Sequence, residues 1–352
     1  MLMTADKNSR LNQPDSFFSK ILLFGEYSII LHSKALVIPY QHFQGYLTFS
    51  KENGLSSNRV LRDLYHYLLR LAENDKLLSR YDFERFKKDL DNQLYFKSSI
   101  PVGYGVGSSG ALSAAIYSKY AKDKITMSPD DDQESFSGFT LSHQHDDEEK
   151  KKQTVSAKKL ASLRNILSQV ESYFHGTSSG LDPLSCYLKV PLHLNNNTDI
   201  KTTDMSSMML EDDHAIFLLN AGEPKNTGKL VKNFLQKTEN AAFKSWMTQH
   251  YIPVNNRCVD HFISGKKTDF FDNLTELSTM QMTQFSSLIP ERFLEFFHHG
   301  IKSQNFLLKL CGAGGGGFML GFTSHLSKVE PFFSREKIDI LPVSCQSFQN
   351  KG

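Results

Sequence analysis

The residues best suited to chemistry stand in PVGYGVGSSGA, residues 101–111, where four glycines and two serines fall within ten positions. Such a loop exposes backbone N–H groups. Where it opens a helix, the helix dipole adds to them, so the expected ligand is an anion such as phosphate. A P-loop requires G-x-x-x-x-G-K-[ST]. Here Ser108-Ser109-Gly110-Ala111 follow the glycine, and the GK pairs at 228–229 and 265–266 lack the next Ser or Thr. Gly105, Gly107 and Gly110 formally meet the dinucleotide fingerprint G-x-G-x-x-G. That motif also needs a strand ending in an acid about 20 residues on, where this chain reads AKDKITMSPDDD. A third reading uses more of the residues. Two hydroxyls beside the N–H groups of a helix start suit triphosphate oxygens, and a serine oxygen can join the shell of Mg²⁺. A second glycine loop, KLCGAGGGG at 309–317, offers a similar set of bare backbone donors.

Both loops need rigid elements on either side. KILLF (20–24) and the apolar run 35–40 read as strands, and VLRDLYHYLLRLA (60–72) carries helical spacing. QLYFKSSI (93–100) is rich in β formers and leads into the first loop, and 109–120 reads as a helix, so the loop is a strand-to-helix turn. Leu160, Leu163, Leu167, Val170 and Phe174 share one face of a helix over 158–174, which runs into HGTSSGLD, residues 175–182. AIFLLN (215–220) reads as a strand, and an apolar, strand-like run follows the second glycine loop. The polar stretch NNNTDIKTTD (195–204) is the expected connection between two lobes, 1–195 and 205–352. Residues 123–153 hold DDDQES and HQHDDEEKKKQ and read as a solvated insertion. His143, His145, Asp146 and Asp147 lie there without an apolar framework to hold a metal.

Length and composition narrow the function classes. With 352 residues, 39% hydrophobic and 22% charged, the chain is an ordinary globular protein of about two domains. Its formal charge of +2 gives no reason to expect nucleic acid or an anionic membrane as partner. The polar start lacks a signal-peptide core, no run is long enough to span a bilayer, and the four cysteines show no C-x-x-C spacing. The expectation is a cytoplasmic protein, monomer or homodimer.

Four segments, in order, resemble the GHMP kinases, the small-molecule kinases of galactose, homoserine, mevalonate and phosphomevalonate. PVGYGVGSSGA is similar to their ATP-binding motif P-x-G-x-G-L-G-S-S-A. KILLFGEYSIILHSKAL (20–36) and KLCGAGGGG resemble the first and third motifs, and ESYFHGTSSGLD (171–182) resembles the mevalonate kinase stretch E-x-x-x-HG-x-PSG-[VI]-D. PKNT (224–227) adds a shorter match. The resemblance, strongest to the mevalonate kinases, implies an α+β fold of two lobes, a ribosomal S5-like N-terminal domain and a ferredoxin-like C-terminal domain. It implies ATP and Mg²⁺ as cofactors and a small-molecule alcohol as acceptor. Asp182 matches the catalytic base and Lys20 the lysine beside it. Glu171 matches the acid that holds Mg²⁺ with a loop serine, Ser109 ahead of Ser108. Pro101, Gly103, Gly105, Gly107, Ser108, Ser109, Gly110 and Ala111 match the ATP loop. Glu26, Thr227, Gly312, Ala313, Gly314 and Gly315 match substrate-side or phosphate-loop positions, and His175 a structural histidine. Tyr27 replaces the mevalonate kinase histidine, giving the GEY of phosphomevalonate kinases, and Ser178 replaces a proline. Phosphomevalonate kinase, a GHMP sugar kinase, a non-catalytic metabolite sensor of the same fold and a nicotinamide-dependent oxidoreductase are the alternatives.

Overall fold

The computed structural model describes residues 15–49, 55–125, 157–196, 199–203, 213–224 and 227–343. Most of the 123–153 insertion, with its histidines and acids, and Lys225-Asn226 of PKNT lie outside them.

The first half builds one sheet with helices packed on it. In order come β1 (Phe17–Phe24), β2 (Ala35–Phe49), α1 (Leu55–Glu73), α2 (Phe83–Asp91), β3 (Leu94–Ser98), α3 (Ser108–Tyr120), α4 (Ala157–His175), α5 (Leu181–Leu188), β4 (Leu192–Leu194) and β5 (Ile200–Thr202). The strands pair in the order β1-β2-β4-β5, and β3 pairs with another stretch of β2, all antiparallel. β5 falls inside the polar stretch 195–204. Its backbone pairs with β4, which needs no apolar side chains, so the first sheet reaches Thr202. α3 has almost no polar face, and Gly110–Tyr117 are buried, as expected of a helix apolar all round. Its small residues let neighbours approach closely.

The second half continues with β6 (Ala215–Asn220), α6 (Thr227–Thr238), α7 (Ala241–Trp246), α8 (Ile252–Ile263), α9 (Lys267–Gln284), α10 (Glu291–Ser303), β7 (Leu307–Leu310), β8 (Phe318–Thr323), α11 (Leu326–Arg335) and β9 (Ile340–Val343). Its strands pair antiparallel in the order β7-β8-β6-β9. With helices between β6 and β7 and between β8 and β9, this is a split βαβ arrangement. A π-helical turn, Met247–Tyr251, joins α7 to α8. A core rich in phenylalanine joins the halves: Phe24 of β1 packs against Phe262, Phe270 and Phe322 at centroid distances of 6.2, 6.0 and 5.7 Å. No helix among the described residues is long and apolar enough to cross a membrane.

Candidate active site

The first glycine loop is fixed at both ends. The Lys20 backbone N–H donates to Val106 O at 3.0 Å, tying the loop to β1. Gly107 precedes α3 with φ +81°, and a Cβ there would stand 2.7 Å from the Lys20 side chain. The missing side chain is therefore the space through which Lys20 passes. Its Nζ lies 2.8 Å from an Asp182 carboxylate oxygen and donates to Gly105 O at 3.2 Å. Burial works against the Lys20 ammonium, but Asp182 outweighs it and holds the group above its usual range.

Asp182 sits in the first turn of α5, where the helix dipole favours an anion. Its position depends on Gly110, because a Cβ there would fall 2.9 Å from the Asp182 carbonyl carbon. The turn ahead of α5 is pinned to α4: Ser168 Oγ donates to Ser178 O at 2.7 Å and Arg164 Nε to Ser179 O at 2.6 Å. Gly180, at φ +75°, leaves no room for a side chain against Arg164 O.

Glu171 is buried on α4 and accepts hydrogen bonds from Ser109 Oγ at 3.0 Å and from Ser178 Oγ. Burial, and next the nearby Asp182 charge, push its carboxyl up to about 7, against those hydroxyl donors and Lys20. His175 Nε2 lies 3.0 Å from Ser109 Oγ, and burial holds its imidazole below the usual range despite Asp182. The structure thus brings Lys20, Ser109, Glu171 and Asp182 into one cluster at the start of α3, with Ser178 and His175 beside it. Ser108 opens α3 next to them, and Ala111 is buried one turn in.

The second glycine loop closes on the first. A Cβ on Gly105 would meet Cys311 O at 2.7 Å, and one on Gly312 would stand 3.1 Å from Gly105 Cα. A Cβ on Gly103 would meet Pro224 at 2.9 Å, just ahead of Thr227, the first residue of α6. Pro101 starts the first loop, half-buried. In the second loop, Ala313 O accepts from Tyr27 Oη at 2.5 Å and the Gly315 N–H donates to Leu288 O at 2.6 Å.

Glu26 takes a different place from the four clustered residues. It is 3% exposed and forms an ion pair with Lys309, which also donates to Leu310 O at 2.9 Å. Burial pushes the Glu26 carboxyl up while Lys309 pulls it down, and burial prevails. The pair ties the GEY turn to the strand that launches the second glycine loop. Gln281 reinforces it, accepting from the Leu310 N–H at 2.7 Å and donating to Tyr251 Oη at 2.8 Å. In the sequence Lys309 is only the first letter of the second glycine-loop motif, Ser178 stands out only as a serine in place of a proline, and no motif marks Gln281.

No family model matches the chain, and no curated protein matches it. Solved structures do. The mevalonate kinase of L. major, determined with R-mevalonate, superposes with a TM-score of 0.58 at 13% identity, covering 97% of this chain and 99% of that one. The Streptococcus pneumoniae phosphomevalonate kinase, with phosphomevalonate and AMPPNP, gives 0.56 at 12% over 93% and 98%. The Lactococcus lactis galactokinase, with galactose, gives 0.55 at 12% over 94% and 93%. At such identities the likeness is one of fold, and that fold is the mixed helix-and-sheet fold of the GHMP kinases.

Proposed function

We propose that this chain is an ATP-dependent kinase of a small-molecule alcohol, and that the alcohol is mevalonate, giving 5-phosphomevalonate. One observation carries the reading: Lys20 Nζ stands 2.8 Å from Asp182, beside the Ser109–Glu171 pair, at the mouth of a glycine loop that opens a helix. In this reading the N–H groups of the loop and of the α3 start bind the triphosphate. Asp182 accepts the proton of the acceptor hydroxyl as the new O–P bond forms and the bond to ADP breaks. Lys20, 2.8 Å from Asp182, holds that carboxylate in place and stabilises the oxygen that attacks.

Glu171 and Ser109 would hold Mg²⁺. The donor set fits: all are hard oxygens, and a carboxyl that burial and a second carboxylate push up to about 7 is relieved by a cation. No group of three His, Cys, Asp or Glu side chains forms a metal cluster among the described residues. That agrees with Mg²⁺, which takes one or two protein carboxylates and completes its shell with phosphates and water. When bound, the cation neutralises charge on the transferring phosphoryl group.

Mevalonate is favoured as acceptor by the E-x-x-x-HG…SG-x-D stretch. The GEY turn favours phosphomevalonate as the second reading. A coupled ADP-release assay across mevalonate, phosphomevalonate, homoserine and several sugars tests both. Turnover with mevalonate is expected to exceed the others. Turnover with none, alongside Mg·ATP binding, would favour a non-catalytic sensor.

A further inference from the structure

α8 carries two adjacent asparagines, Asn255 and Asn256, that nothing within the helix explains. Asparagine is a weak helix former, and a buried amide is costly unless its polar atoms are paired. Asn255 is nevertheless 1% exposed. Its partners lie 230 and 221 residues back along the chain: Oδ1 accepts the Gly25 N–H at 3.0 Å, and Nδ2 donates to Lys34 O at 2.9 Å. An amide suits both, since one partner is a donor and the other an acceptor. Asn256 Oδ1 accepts the Lys34 N–H at 2.9 Å. Asp260, farther along the same helix, takes the Lys34 ammonium at 2.6 and 2.8 Å.

These bonds grip both ends of the turn 25–34, which holds the GEY residues. The ends also meet each other, since a Cβ on Gly25 would stand 2.6 Å from the Ala35 Cβ. Inside the turn the Ser33 N–H donates to Ser28 O at 3.2 Å and Ser33 Oγ to Ser28 Oγ at 2.7 Å, with both serines buried. The turn is thus closed on itself and shifts as one piece, so its place is set by what holds its ends. It continues from β1, which carries Lys20, and it reaches the second glycine loop where Tyr27 Oη donates to Ala313 O at 2.5 Å. Displacing the turn therefore moves the loop 312–315 relative to Lys20 and Asp182. Group transfer is sensitive to such shifts: a misplacement of about 1 Å can cost roughly 100-fold in rate. The first glycine loop is tied to β1 directly, through the Lys20 N–H and Val106 O, so triphosphate binding does not pass through α8.

We infer that Asn255 is a positioning residue: it sets the register between Lys20 and Asp182 on one side and the second glycine loop on the other. What that register serves rests on the kinase reading; that Asn255 sets it does not.

The test uses the full chain. Asn255→Leu keeps the bulk of the side chain and removes both bonds. Val329→Ala, a truncation of a buried residue of α11, is the control for lost stability. Titration calorimetry with Mg·ATP counts the competent sites in each protein, and the ADP-release assay with mevalonate then gives kcat per site. Asn255→Leu should bind Mg·ATP within about twofold of the original affinity and lose about 10–100-fold in kcat per site. Val329→Ala should keep the original kcat per site, because a less stable protein has fewer sites and not slower ones. Amide exchange needs no turnover. The Gly315 N–H, which donates to Leu288 O at 2.6 Å, should exchange faster in Asn255→Leu than in Val329→Ala. Should Asn255→Leu not fold, Asn256→Ala, at a half-buried position, removes only the tie to the Lys34 N–H and should move both readouts the same way by less. Unchanged kcat per site in the folded variant, or Gly315 exchange no faster than in Val329→Ala, refutes the inference. Absent turnover in the original protein overturns the kinase reading instead, and the exchange comparison still decides the role of Asn255.

Discussion

Replacing Lys309 by Met removes the ammonium from an ion pair whose side chains are 0% and 1% exposed. Glu26 is left with a buried carboxylate, one oxygen of which already lacks a partner. Removing one member of a buried pair costs about 3–5 kcal/mol because the other charge stays uncompensated. A whole domain is stable by only about 5–15 kcal/mol, so the melting temperature should fall by about 10 °C. The deficit should also depend on pH. Burial raises the Glu26 carboxyl and Lys309 opposes it, so without Lys309 the folded carboxyl rises further. The folded state then keeps a proton that the unfolded state releases as pH climbs past the ordinary carboxylate range, and stability falls with pH over that window. The loss should therefore be larger at pH 8 than at pH 5. Glu26→Leu in the same chain replaces the pair with packed apolar side chains, an exchange that is often neutral or stabilising. Urea unfolding of the original protein, the two single variants and the double variant measures all of this. A double variant no more stable than Lys309→Met alone, or a Lys309→Met loss below about 1 kcal/mol, the scale of an exposed pair, would refute the reasoning.

Asp182→Asn should abolish ADP release with acceptor while a fluorescent ATP analogue still binds; turnover near the original rate would remove the proposed base. Gly105→Ala should destabilise by about 1–3 kcal/mol, since its φ is +82° and the new methyl meets Cys311 O; an unchanged denaturation midpoint would contradict the packing of the two loops. In metal-free buffer, stability should fall between about pH 4.5 and 7, because the folded Glu171 carboxyl, raised to about 7, holds a proton that the unfolded chain has released. Glu171→Gln should flatten this slope by up to roughly 3 kcal/mol, and parallel stability curves for the two proteins would count against the buried acid.

Much of the local structure was legible because local signals agree with the fold. AIFLLN is β6 residue for residue, and the glycine loop does lie between β3 and α3. Lys20, Ser109, Glu171 and Asp182 could be singled out because each stands in a motif, and their order along the chain carried the information. What stayed hidden depends on distant approach. Glu26 and Lys309 are 283 residues apart, and nothing local to either announces the other. Gly110 reads as one more loop glycine, yet its work is to admit the backbone of α5 beneath Asp182. Ser178 was nearer to hand, since it lies seven residues from Glu171 and replaces a proline with a hydroxyl. β5 escaped notice because backbone pairing on β4, and not side-chain pattern, makes IKT a strand.

The contact between the two glycine loops bears on how this chain can vary. A Cβ on Gly105 would meet Cys311 O at 2.7 Å and one on Gly312 would stand 3.1 Å from Gly105 Cα, so each loop occupies room that a side chain on the other would need. Substitutions in the two loops are therefore epistatic: a methyl accepted in one loop consumes the tolerance of the other. Libraries that randomise either segment by itself should return mostly dead clones.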